Sequence, residues 1–512
     1  THRSSRLRYG HEVFGAQDET IARQTGRLRR RRHDDMAQLD ATSTKAAVEE
    51  YWEKGALAVL SEYVTIPCLS PDFDENWEAN REMQKAAALF ADWARTRALP
   101  ENTVEVVSLP GRTPVLLVEI EPSPGNEGST TLIYGHLDKQ PPLGDWSEGL
   151  SPFTPVRKDD RLYGRGTADD GYAFFAAIGA IETLARTETP HGRILVLIES
   201  SEESASEDLD AYLESLAPRF GELALICCLD SGGPTYDRLW TTTSLRGLVD
   251  GVLRIDVLRE SIHSGIGTGV VPSSFRVLRQ LLDRVDDSTT GDALLPECWV
   301  EIPAVRKAEI DALATSGMSE VLSLPIVDGL RLESDDLATL IERGTWRAGL
   351  EVTGAEGLPK VAEAGNLTRA QTTVKLSLRI PPTADADAVA VALERALTSD
   401  PPHGAQITFT PGHASRGWSA PPFAPWLAEA VSASSSTYFS NPPFGYGVGG
   451  SIPFMAALGQ RHPNAQFFSS GALGGDSNAH GIDESLYIPA AKSITASIAE
   501  ILAALAQSRT NS

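Results

Sequence analysis

Short runs of Ile, Leu and Val that break off into histidine or carboxylate recur along this chain, and they restrict its fold more than any other feature. "LIYGHLD" carries His136 and Asp138, and "YGRGTADDG" carries Asp169 and Asp170. "LIESSEES" carries Glu202 and Glu203, "ICCLDSGG" carries Asp230, and "GGDSNAHGIDE" carries His480. Apolar runs of this length, bounded by turn residues, read as buried strands. Helical text separates them, over residues 172–186 and over "SEDLDAYLESLAPRF". The alternation predicts an α/β fold: a mixed, mostly parallel sheet flanked by helices. In such sheets ligands bind outside the carboxyl ends of the strands. Residues far apart in sequence are therefore expected to meet in one cleft.

The pattern changes near Leu248. "LVDGVLRIDVL" and "TTVKLSLRIPP" alternate apolar and polar residues, as strands with one buried face do. Each precedes a helix ("SSFRVLRQLLDRV", "ADAVAVALERAL"), and "AQITFTPG" adds a third strand. These elements predict a smaller α+β domain over residues 247–415, inserted into a larger one made of 36–246 and 416–512. Helices are expected over about 46–65 and 80–97, and a long one closes the chain.

The chain has 512 residues, enough for two or three domains at roughly 100–200 residues each. Its net charge of −24 argues against nucleic acid as the main partner. Residues 1–35 differ, with nine arginines against five acidic residues, but charge runs of this kind are usually solvated. They are expected to be a basic extension ahead of Met36, outside the folded domains. No run approaches the ~20 apolar residues of a membrane helix, and no secretory signal is evident. A cytoplasmic protein without a membrane partner is expected. The four cysteines form no Cys-x-x-Cys pair, which disfavours a thiolate zinc site, and a chain of this size does not call for disulfides.

Taken singly, each acidic or histidine motif has a bland reading as a solvated turn, a helix cap or a surface strand. Jointly, at successive strand ends, they supply the imidazole and carboxylate donors that suit Zn²⁺. Two divalent ions ~3.5–4 Å apart can share a carboxylate, activate a bridging water and polarise a carbonyl. The chain offers a candidate bridging Asp, further ligands for each ion and a nearby base. Asp138, two residues beyond His136, lies where it can orient that imidazole.

"YGHLDKQP", "LYGRGTADDG", "ESSEES" and "GGSIP" occur in this order. Through them the chain, over about residues 45–505, resembles the carnosinase-like dinuclear zinc peptidases, whose clan includes aminoacylase-like and glutamate-carboxypeptidase-like enzymes. The resemblance implies two Zn²⁺ per chain, with Mn²⁺ or Co²⁺ able to serve. His136, Asp169 and Asp230 would bind one ion, and Asp169, Glu203 and His480 the other. Glu202 would be the general base and Asp138 the acid that orients His136. A cis peptide is implied between Asp169 and Asp170. The inserted segment resembles a lid and dimerisation domain, which implies a homodimer. There, His263 would reach a partner subunit's cleft, and Asn366 and Arg379 would contact substrate. Gly450 and Ser451 would bind the substrate's carboxyl-terminal part.

The chain departs from the family pattern in three places. Val448 stands where such dipeptidases often have a Glu near the substrate's free amine. Gly171 replaces a common Lys, and "HGIDES" is unusual after the last ligand. The expectation is a hydrolase of dipeptide or short-peptide amide bonds. The alternative is a deacylase or carboxypeptidase acting on N-acyl amino acids or N-blocked peptides. A non-catalytic scaffold on this fold is disfavoured, because no ligand position and no base is missing.

Overall fold

A computed structural model of the chain describes residues 39–318, 324, 326–450 and 452–510. The basic segment 1–35 and Ser451 lie outside the described residues. The main sheet has six strands in the order Asn102–Val107, Val115–Ile120, Arg193–Glu199, Thr130–His136, Leu225–Cys228 and Gln466–Ser469. The last four run parallel, and the Val115–Ile120 strand is antiparallel to both of its neighbours. The sheet is therefore mixed and mostly parallel.

Alternation along each strand feeds two cores. Ile133, Ile194, Val196 and Ile198 face one side, where the helices Glu82–Arg95, Tyr172–Arg186 and Ile488–Thr510 cover them. Leu132, Tyr134, Leu195 and Leu197 face the other side, covered by Leu209–Phe220 and Pro453–Arg461. Burial on both faces is why these strands read as unbroken apolar runs. Ile488–Arg509 is long and apolar enough to cross a membrane, but 83% of its apolar window is buried within this core.

A second, four-stranded antiparallel sheet runs Gly349–Glu356, Gln371–Ile380, Gly247–Asp256, Gln406–Ser415. The helices Ser274–Leu282 and Ala386–Thr398 cover one of its faces. Val252 and Val352 are exposed. The Gly349–Glu356 strand was not legible in sequence, because it is an edge strand with little burial and so lacks apolar alternation. A third sheet places Phe444–Val448 parallel to Trp240–Leu245, so that Val448 lies opposite Leu245.

Two helix boundaries differ from expectation. The first helix starts at Ala41, because Asp40 caps it by accepting from Ser43 N at 2.8 Å. The expected helix over 206–220 starts at Leu209, because Ala205 and Ser206 take positive φ to turn the chain. All four cysteines are free and buried.

Gly135 sits beneath the strand end that carries His136. A Cβ there would lie 2.7 Å from Asp170 Oδ2 and 2.8 Å from Ala173 Cβ. Gly135→Val should cost about 1–3 kcal/mol through overpacking. Urea unfolding of the metal-free protein measures this loss.

Candidate metal centre and substrate cleft

His136 ends its strand with Nε2 3.2 Å from Asp169 Oδ1 and 3.9 Å from Asp230 Oδ2. His480 Nε2 lies 3.0 Å from Asp169 Oδ2 and 3.2 Å from Glu203 Oε2. Asp169 thus stands between two imidazoles, with one oxygen directed to each. Among the described residues, two groups hold donor atoms within 4.8 Å of one another: His136–Asp169–Glu203 and His136–Asp170–Asp230. The buried Asp170 Oδ1 has no hydrogen-bond partner, and a cation nearby would satisfy it. The Asp169–Asp170 peptide is cis. This clustering of imidazole and carboxylate donors, with Asp169 central, fits a pair of divalent ions.

The electrostatics describe a site short of positive charge. Burial pushes Asp230 up to about 7. Burial, then the Asp230 charge, raises Glu202 well above the ordinary carboxylate range. Hydrogen bonds to Asp169 and Glu203 raise His480 to about 11. For His136, burial favours the neutral ring, but its hydrogen bonds to Asp138 and Asp169 outweigh that and hold a proton. Crowded carboxylates retain protons when no cation neutralises them, and metal binding to such a cluster must displace those protons.

Two buried carboxylates hold the loops in place. The carboxylate of Asp138 accepts from the backbone N–H of Glu202 at 3.2 Å and of Glu203 at 3.0 Å. Its Oδ1 also lies 3.5 Å from His136 Nδ1. It therefore joins two strand ends and does more than orient the histidine. Glu484 accepts from the N–H groups of Gly166, Ala168 and Asp169, each at 3.1 Å, and from Arg165 Nη1 at 2.7 Å. The unusual "HGIDES" text thus supplies the carboxylate that holds the Asp169 turn. The Gly171 departure also has a local reason: a Cβ there would lie 2.5 Å from Gly166 O.

A cavity of about 570 Å³ opens on this cluster. Asp169, Asp230, Glu202 and His480 line one side, and Leu245, Tyr446, Val448 and Ile452 form an apolar wall. Gly450 also lines it. Arg379 lies on the Gln371–Ile380 strand and does not line the cavity. Its guanidinium Nη1 is buried without a hydrogen-bond partner. His263 and Asn366 are exposed, and Ser264 N donates to Asn366 O at 3.0 Å. His263 itself pairs with Leu367, the residue after Asn366, and neither His263 nor Asn366 lines this chain's own cavity.

Sequence reasoning gave no role to Asp170, Glu199, Glu484 or Arg246. Asp170 could have been found from its adjacency to Asp169. Glu199 and Glu484 stand inside the quoted "ESSEES" and "HGIDES" text, but the Tyr134, Arg165 and Gly449 partners of Glu199, Glu484 and Arg246 come from distant segments.

The sequence profile of Peptidase family M20/M25/M40 matches residues 132–507. The chain is 26% identical over 369 residues to the cysteinylglycine-S-conjugate dipeptidase of Corynebacterium striatum, covering 71% of this chain and 78% of that protein. The fold is similar to the dipeptidase Dug1p from Saccharomyces cerevisiae, with TM-score 0.72, 21% identity and coverage of 91% and 99% of the two chains. It is also similar to human carnosine dipeptidase 1, with TM-score 0.71, 21% identity and coverage of 91% and 100%.

Glu199 accepts from Ser206 Oγ at 3.0 Å, Ser201 Oγ at 3.3 Å and the Tyr134 hydroxyl. Burial pushes it up from 4.5 to about 7. A carboxyl that holds its proton more tightly when folded loses stabilising effect as pH rises from about 4.5 to about 7. Glu199→Gln should remove that part of the slope in the metal-free protein. The check is urea unfolding of both proteins across this range, with the wild type losing ground to the variant as pH rises.

Proposed function

The chain belongs to Peptidase family M20/M25/M40, and on that premise we propose that it is a metal-dependent dipeptidase with two Zn²⁺ in the cleft. The observation that carries this reading is the position of Asp169, with one carboxylate oxygen toward His136 and the other toward His480. His136, Asp169 and Asp230 hold one ion, and Asp169, Glu203 and His480 hold the other. When bound, the ions supply the positive charge that acidifies a water and polarises the scissile carbonyl. Glu202 lines the cavity. It takes a proton from the attacking water and delivers it to the leaving nitrogen. The hydroxyl of that water ends on the carbonyl carbon, and the C–N bond breaks. Asp138 positions both His136 and the Glu202–Glu203 turn. Arg379, Gly450 and Ser451 receive the substrate's carboxyl-terminal part.

Residues 247–415 act as a lid and dimerisation domain, and residues 36–246 with 416–512 carry the catalysis. Val252, exposed on the sheet face that the helices leave uncovered, supports a homodimer. The exposure of His263 and Asn366 on neighbouring strand ends, outside this chain's cavity, supports their service to a second copy's cleft, where the imidazole would stabilise the developing oxyanion.

Glu202→Gln should lower kcat by roughly 10²–10⁴-fold while metal content by elemental analysis stays at the wild-type level. Retention of near wild-type turnover would remove Glu202 from the mechanism.

The apolar wall formed by Leu245, Val448 and Ile452 defines which dipeptides fit. The acidic residues lining the cavity are Asp169, Glu202 and Asp230, all members of the metal and base cluster. Among the described residues no further carboxylate lines the cavity to meet a substrate amine, so an apolar amino-terminal residue is preferred and its amine contributes little. Free and N-acetylated forms of one apolar dipeptide should have comparable kcat/KM. A strong preference for the free amine, measured on the same enzyme, would contradict this.

A further inference from the structure

A second cavity, of about 530 Å³, opens at the edge of the main sheet away from the metal cluster. His191, in its lining, lies two residues before the Arg193–Glu199 strand, whose far end leads to Glu202 and Glu203. A strand of that length sets the two places roughly 20 Å apart. Glu101, Glu121 and Glu188 line this cavity, and no Lys or Arg among the described residues does. Glu101 and Glu121 stand directly opposite each other. The register of the first two strands pairs Asn102 with Ile120, and Glu121 N donates to Glu101 O at 2.9 Å. Like charges opposed in a ladder repel. Among the described residues none of the three glutamates forms an ion pair. The arginines that could serve them are taken, Arg97 by Glu182, Arg186 by Glu50 and Arg193 by Glu119. The helix Tyr172–Arg186 also ends here, with Leu184 in the lining, and adds the negative end of its dipole.

The histidine points to the same kind of ligand. His191 is only 3% exposed, yet it lines the cavity. Its Nδ1 lies 2.8 Å from Gly192 O. A carbonyl oxygen can only accept, so Nδ1 carries the hydrogen and the neutral ring offers Nε2 as an acceptor. Among the described residues Nε2 has no hydrogen-bond partner. Three carboxylates and one imidazole lone pair thus surround a volume without a cation. Glu101, Glu121 and His191 each have a proline neighbour (Pro100, Pro122, Pro190), whose fixed φ stiffens the rim. One metal ion does not match this arrangement: among the described residues, sets of three such donors converge within 4.8 Å only in the metal cleft. The ligand has to span the carboxylates with several separate donors, and the apolar lining suits methylene groups between them.

We propose that this cavity binds an aliphatic polyamine. One ammonium group sits between Glu101 and Glu121 and removes their repulsion, a second meets Glu188, and a donor hydrogen reaches His191 Nε2. The site is separate from the catalytic cleft and stands whether or not the chain is a dipeptidase.

Calorimetric titration of spermidine into the zinc-loaded full chain tests this, the zinc occupying the carboxylates of the cleft. The wild type should bind saturably, with one spermidine per chain. Glu121→Gln/Glu188→Gln should weaken binding by roughly 10–100-fold through lost charge-assisted hydrogen bonds. Glu62→Gln/Glu78→Gln removes two carboxylates elsewhere on the surface and should leave affinity unchanged. All four side chains are exposed, so each double variant should fold as the wild type does. Equal weakening in the two double variants would mean that spermidine responds only to the net charge of −24, and would overturn the inference. Butylamine, with a single ammonium, should bind roughly 10-fold or more weakly than spermidine. Equal affinity for the two amines, or no saturable binding by the wild type, would overturn it as well.

Discussion

Glu484 is fully buried, and it accepts from Arg165 and from three backbone N–H groups of one turn: Gly166, Ala168 and Asp169. A carboxylate removed from water is tolerated only when its lone pairs are filled by donors of this kind. The consequence is geometric. The segment that carries His480 and the segment that carries Asp169 are held together through one side chain, and Arg165 adds a bond to Gly481 O at 2.7 Å. Asp169 addresses both imidazoles from a turn whose N–H groups are tied to Glu484. Asp138 does the same for the other pair of strand ends by gripping the N–H groups of Glu202 and Glu203.

The cleft is therefore built in layers. An outer set of carboxylates and imidazoles carries the metal-type donors, and an inner set holds it in place: Asp138 and Glu484 accept from backbone N–H groups, and Glu199 accepts from the hydroxyls of Tyr134, Ser201 and Ser206. The inner set uses hydrogen bonds to fix position, whereas the outer set is left short of partners. The orphaned Asp170 Oδ1 and the raised proton affinities of Glu202 and Asp230 are two signs of that deficit. Cation binding relieves it.

Glu202 and Glu203 show how adjacency produces different chemistry. Both peptide N–H groups are held by the one Asp138 carboxylate, yet their side chains diverge. Glu203 Oε2 meets His480 and also accepts from Gln140 Nε2 at 2.7 Å. Glu202 lines the open cavity. A single tight turn (Glu202–Ser204) can present two carboxylates to one volume only because successive side chains leave it in different directions.

Much of this was written in the residues themselves. Strands buried on both faces must be apolar throughout, so Thr130–His136, Arg193–Glu199 and Leu225–Cys228 stand out, and donor residues just past their ends mark one edge of the sheet. Metal-type chemistry admits few residue types, so His136, Asp169, Glu203, Asp230 and His480 could be selected as candidates before any fold was known. The edge strand Gly349–Glu356 was hidden because slight burial imposes no pattern. Glu484, Glu199 and Arg246 were hidden for a different reason. Their meaning lies in what they touch, and those partners are up to 319 residues away in the chain. Local sequence thus determined the strands and the chemical types available at their ends, because periodicity and donor chemistry act residue by residue. Tertiary structure alone decided which carboxylates face solvent and which hold backbone, because those depend on contacts made only when distant segments pack.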